Sequence, residues 1–168
     1  MPRLIKRGAV VEDGFVVVRD AAGPADLPAG PVIVPLALWQ SHREALRTRG
    51  SLGVWLAPAD DPAALAHDLA HLAVVAVDFP AFTDGRGYSS ARLLRERYAY
   101  SGELRAIGDV QRDQLYYLSQ AGFDAFEIAA GRDADAALVG LRDFSDGYQA
   151  TQVRTPWFRR REAHGGAQ

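Results

Sequence analysis

Cysteine is absent from all 168 residues. That excludes disulfides, thiolate ligation of an iron–sulfur cluster or structural zinc, and a thiol nucleophile. Redox chemistry would have to reside in a bound cofactor or a partner protein. The dinucleotide fingerprint G-x-G-x-x-G is missing too, so no cofactor is expected. Long apolar runs are also lacking: the longest, Leu72 to Val77, is far too short to span a bilayer. No apolar stretch follows the charged start Met1-Pro2-Arg3-Leu4-Ile5-Lys6-Arg7, so no signal peptide is read and a cytoplasmic location is expected. Nor is charge of one sign in excess. A net charge of −2 gives no global drive toward nucleic acid or an anionic membrane, although a local basic patch could exist and the run Arg159-Arg160-Arg161 is one.

What is present is an ordinary folded composition, 48% hydrophobic and 24% charged, in a chain of one-domain length. Glu12-Asp13-Gly14 is a turn signal between Leu4-Ile5-Lys6 and Phe15-Val16-Val17-Val18-Arg19, and predicts an N-terminal β-hairpin. Ala21 to Pro31 reads as a linker loop.

An alternating pattern follows. Strands are predicted at Val32-Ile33-Val34, Leu52 to Leu56, Ala73 to Val77, Glu103 to Ile107 and Ala125 to Ile128. Helices are predicted over 36–47, from the Asp61 N-cap and Pro62 to about Leu69, over 89–98, through Leu115, Leu118 and Ala121 to Gly122, and over 133–144. This is an α/β domain, residues 1–150, with a parallel sheet of about five βα units and a flexible basic tail at 151–168. The sheet could be doubly wound or a consecutive-order arc resembling part of a (β/α) barrel. The missing dinucleotide fingerprint favours the arc.

In either arrangement ligands bind at the C-terminal ends of the strands. The third strand runs through Asp78 into the loop Phe82-Thr83-Asp84-Gly85-Arg86-Gly87-Tyr88-Ser89. The fourth ends at Gly108-Asp109, with Asp113 and Gln114 just beyond, and the fifth ends near Glu127. Thr83, Gly85, Arg86, Gly87, Tyr88, Ser89 and Arg92 are the candidate anion site, because glycines can aim backbone N–H groups and an arginine can grip an oxyanion. Ser89 or Ser90 could cap the following helix, and Arg95 could stand behind it. A plain glycine-rich turn is the bland alternative. Asp84 and Asp109 are candidate catalytic acids, and with Asp78 they form an alternative magnesium set. His67 and His71 have the i, i+4 spacing of metal ligands but no third ligand nearby. Ser89 has neither a nucleophile elbow nor a neighbouring histidine.

The strings Phe79 to Ser89, Ala91 to Arg95, Gly102 to Val110, Asp113-Gln114-Leu115 and Gly122 to Glu127 resemble one bacterial family of unknown-function domains, commonly labelled as oxidoreductases involved in sulfite reduction. The resemblance extends to Val32–Leu36 and to Tyr148-Gln149. It implies an accessory role in assimilatory sulfate and sulfite reduction, with the sulfite reductase hemoprotein as partner and a small oxyanion as ligand. Members often carry a cysteine just before the Gly-Phe-Asp-Ala-Phe stretch; Ala121 stands there in this chain. Whether the chain is itself an enzyme is left open by the residues and by the resemblance.

Overall fold

The computed structural model describes residues 3–81, 83–129 and 131–141, and all structural statements concern these. The most apolar stretch of the chain makes its central strand: Val74–Phe79 is buried at every position, as a strand covered on both faces requires. Around it lie β1 (Arg3–Lys6), β2 (Ala9–Val11), β3 (Val16–Val17), β4 (Val32–Pro35), β5 (Leu52–Leu56), β6 (Val74–Phe79), β7 (Glu103–Gly108) and β8 (Ala125–Ile128). They form one sheet in the order β2-β1-β8-β7-β6-β5-β4-β3. From β3 to β8 neighbouring strands are consecutive and parallel; β1 joins β8 antiparallel and pairs with β2 in a hairpin. The sheet is therefore an arc in sequence order, mostly parallel and not wholly so.

The hairpin differs from the one expected. β1 pairs with Ala9–Val11, not with Phe15–Arg19. The turn is Arg7-Gly8, with φ of 51° and 78°, the two positive values a tight two-residue hairpin turn needs. Val16–Val17 instead runs to the far edge and pairs parallel with β4. This connection dictates the shape of the sheet. Val11 and Val16 end on opposite edges, yet five residue steps span at most about 18 Å. Eight flat strands would hold those edges roughly 34 Å apart. The sheet must curl into a half-barrel.

Helices cover the convex face: α1 (Leu36–Ser41), α2 (Arg43–Arg47), α3 (Arg86–Arg92) continuing as a π-turn over Leu93–Arg97, α4 (Leu115–Ala121) and α5 (Ala134–Gly140). The main core lies between them and the sheet, with Trp39, Leu56, Val75, Val77, Phe79, Leu104 and Phe126 in it. Gly122 closes α4 at φ 114°, in the left-handed position expected of it. The helix expected after Asp61 is absent. Asp61 accepts the Ala63 N–H as an N-cap would, but Pro62–Leu65 and Leu69–His71 are separate 3-10 turns. Between them Asp68, 1% exposed, accepts the Trp39 indole N–H at 3.1 Å and pairs with Arg47 at 2.7 Å and Arg43 at 3.1 Å. That buried knot holds the chain in turns, so His67 and His71 are exposed without sharing a helix face. Among the described residues no helix is long and apolar enough to cross a membrane. The end of the last expected helix, beyond 141, and the expected tail at 151–168 lie outside the described residues.

Candidate functional site

Two faces of the half-barrel carry chemistry: the rim at the strand C-terminal ends and the concave interior. On the rim, the loop after β6 leads into α3, and the Asp109 N–H donates to the Phe79 carbonyl at 2.7 Å. Gly108-Asp109 therefore lies beside that loop. Thr83, Gly85, Arg86, Ser89 and Arg92 are exposed. Arg86 is already held: its Nε donates to Asp84 at 3.0 Å, its Nη2 at 2.7 Å, and its backbone N–H at 3.1 Å. The guanidinium keeps the Asp84 carboxyl below its ordinary range, and the carboxylate raises Arg86 in turn.

Other loop residues take structural parts. Gly87 is buried, and a Cβ there would sit 2.5 Å from the Phe79 ring, so this glycine serves helix–strand packing. Tyr88 is half-buried, edge-on to Phe79 at 5.8 Å, and its hydroxyl is pushed up first by burial and then by Asp113. Neither Ser89 nor Ser90 caps α3, which begins three residues earlier at Arg86. Arg95 is turned away from the loop and donates to the carbonyls of Gly122, Tyr100 and Gly102 at 2.9, 2.6 and 2.8 Å. Asp109 accepts from Arg132 at 3.0 Å, beside a cavity of about 760 Å³ lined by Arg112, Asp113, Tyr117 and Arg132 among others. Gln114 accepts the Gln111 N–H at the start of the next turn, a capping part. Phe82 lies outside the described residues.

Asp78 and Glu127, each the next-to-last residue of its strand, point into the interior, where alternation along three strands sends charged residues to the concave side. Asp78 pairs with Ile107 across β6 and β7, Ala76 pairs with Arg105, and Glu127 stands opposite Leu4. Arg19, just past β3, grips Asp78 with both terminal nitrogens at 2.9 Å and lies over the Trp55 ring at 5.1 Å. Trp55 in turn donates its indole N–H to the Val18 carbonyl at 2.9 Å. Arg105 is 1% exposed; it pairs closely with Asp13, bonds Glu103 at 2.8 and 2.6 Å, and stacks on Phe15 at 5.6 Å. Lys6 adds a second close partner to Glu103. Phe15, Val17, Trp55, Ile33, Val74, Ala76 and Ile107 supply the apolar floor. The residues missed by sequence reasoning, Asp13, Arg19, Glu103 and Arg105, sit on the same face.

The metal alternative finds no geometry. Asp78 is bound to Arg19 inside, while Asp84 and Asp109 each hold their own arginine outside. Among the described residues no three His, Cys, Asp or Glu side chains gather as a metal site.

A family model described as a bacterial protein of unknown function (DUF934) matches residues 53–158. The chain belongs to this family. The match takes in the loop after β6 and the inward charges Asp78, Glu103, Arg105 and Glu127, whereas Asp13 and Arg19 precede it. Among curated proteins none matches the chain.

Glu127 differs from its neighbours. Among the described residues no hydrogen bond or ion pair holds its carboxyl, and burial raises its pKa above the ordinary 4.5. Arg105 and Arg19 act against that rise, while Asp13 and Asp78 add to it. Arg3, Glu12 and Asp13 share the cavity wall with it, and Lys6 extends from the same sheet face. An acid whose pKa is raised by folding favours the folded state most when protonated. The contribution is complete below its unfolded pKa and is lost as pH rises through the folded one. Glu127→Gln should therefore melt with wild type at acidic pH and above it at neutral pH. Thermal melts across that range check this; a variant less stable at neutral pH would mean that the carboxylate is held by favourable contacts.

Proposed function

We propose that this protein is an accessory factor of assimilatory sulfate and sulfite reduction, acting through the exposed face of α3 on a small oxyanion or on the sulfite reductase hemoprotein. The setting rests on the family resemblance of the loop and strand motifs. The observation that carries the site is the row Arg86, Ser89 and Arg92 along α3, all exposed and three residues apart, with exposed Thr83 in the turn before it. Such spacing keeps neighbouring helix members near one another on the surface. Two hydroxyls and two guanidinium groups then face solvent together. Asp84 orients Arg86 through Nε and Nη2, which leaves the Nη1 edge for a second acceptor. At 63% side-chain exposure that edge suits acidic groups on a docked protein better than a solitary ion, whose contacts water would screen.

Arg86→Ala/Arg92→Ala should weaken capture of the hemoprotein about tenfold or more, with a steep dependence on salt, and should leave the melting temperature unchanged. Surface plasmon resonance at two ionic strengths, with sulfite titrated in parallel, measures both branches. If wild type binds neither the hemoprotein nor sulfite, the reading is wrong.

A further inference from the structure

The concave interior carries an imbalance that its ion pairs do not resolve. Arg19 is matched by Asp78; Arg105 and Lys6 are matched by Asp13 and Glu103. These six charges cancel. Glu127 is the seventh inward charge, and it faces a cavity of about 710 Å³ that is also lined by Arg3 and Glu12, which are opposite in sign, and whose apolar walls include Leu4, Val11, Phe15 and Val17. A half-buried carboxylate with no hydrogen-bond partner among the described residues is less well stabilised than its paired neighbours, and one donor, best a cationic one, offsets that. A ligand carboxylate is poorly suited here, because both interior arginines already have carboxylate partners that it would have to displace.

We infer that the interior is a binding site for a small organic molecule with a single ammonium group, which pairs with Glu127 while its hydrocarbon part packs on Leu4, Val11, Phe15 and Val17. The site lies on the face opposite the helices and is independent of the α3 docking reading. Its position near the C-terminal end of β8 follows the general placement of ligands in parallel sheets, though it is reached from the concave side. The apolar walls favour an alkyl or aromatic body over a bare ammonium ion. An aliphatic amine of four or five carbons matches the one charge and the greasy wall.

The test uses the full chain and three probes of equal size: n-butylammonium, 1-butanol and butanoate. Each is titrated while the backbone amide resonances of Phe15, Val17 and Glu127 are followed by NMR. Butylammonium should give saturable shifts at these positions and bind about tenfold or more tightly than butanol, the worth of a charge-assisted contact. Butanoate should give none. Glu127→Gln should lose at least tenfold in butylammonium affinity with the rest of its spectrum preserved, and Glu127→Asp should keep part of it. Because an ammonium favours the ionised carboxyl, binding at mildly acidic pH should also release protons, seen as a binding heat that varies with the buffer. The inference is overturned if butanol or butanoate binds as well as the amine, if Glu127→Gln binds unchanged, or if no probe gives a saturable shift.

Discussion

Arg105→Leu should cost about 3–5 kcal/mol of folding stability. The guanidinium is 1% exposed and lies between Asp13 and Glu103, with the Phe15 ring against it. Deleting it leaves Asp13 without its cation inside the curl and leaves Glu103 to Lys6 alone. The damage also spreads to topology. Asp13 belongs to the short crossing segment that ties the two sheet edges together, so losing its anchor loosens the closure of the half-barrel. Urea denaturation gives the value. Lys6→Met, which removes a partner with a 36% exposed side chain, should cost less than about 1 kcal/mol in the same assay. A loss below about 1 kcal/mol for Arg105→Leu would mean that the pocket admits water and the pairing is superficial.

The second large effect falls on Gly108. Its φ is 94°, where a side chain is strained, and a Cβ would stand 2.4 Å from the Phe79 carbonyl oxygen and 2.8 Å from Asp78 Oδ1. The Phe79 oxygen cannot retreat without stretching its bond from the Asp109 N–H. Left-handed strain and overpacking together should make Gly108→Ala about 2–4 kcal/mol less stable. The insertion also presses on the carboxylate that holds Arg19, so the Arg19–Trp55 stack should loosen. Calorimetric melting measures the first effect. A variant as stable as wild type would place Gly108 in a conformation other than the one described.

Much of the fold is legible in the sequence because its strands are dense apolar runs. Val74–Phe79 and Leu52–Leu56 could hardly be anything else, and βα alternation gives the parallel pairing, but it leaves doubly wound and arc orders both open. The hairpin is not legible, because Asp13-Gly14 is a stronger local turn signal than Arg7-Gly8, where a non-glycine residue adopts positive φ. The helix expected after Asp61 fails although its capping signals are real. The tertiary contacts of Trp39, Arg43 and Arg47 with Asp68, which local signals do not carry, hold the segment in turns. At the site, the glycines make the rim loop visible but do not reveal what each one does. Gly87 makes room for Phe79, a packing role the glycine pattern alone does not announce. The interior has a sequence signal of its own. Asp78, Glu103, Arg105 and Glu127 are charges at inward positions of three adjacent strands, and period-2 reading across β6, β7 and β8 gathers them on one face. Arg19 and Asp13 cannot be added that way, since their arrival depends on the crossing segment.

The central claim, that this chain serves sulfite reduction through the α3 face, is tested most directly by complementation of a deletion strain on defined sulfur sources. The strain should fail on sulfate and on sulfite and grow on cysteine. The wild-type gene should restore growth on both oxyanions, whereas the Arg86→Ala/Arg92→Ala gene, expressed to the same level, should not. Equal growth of the deletion strain on sulfite would contradict the proposed role, and full rescue by the double variant would contradict the face assigned to it.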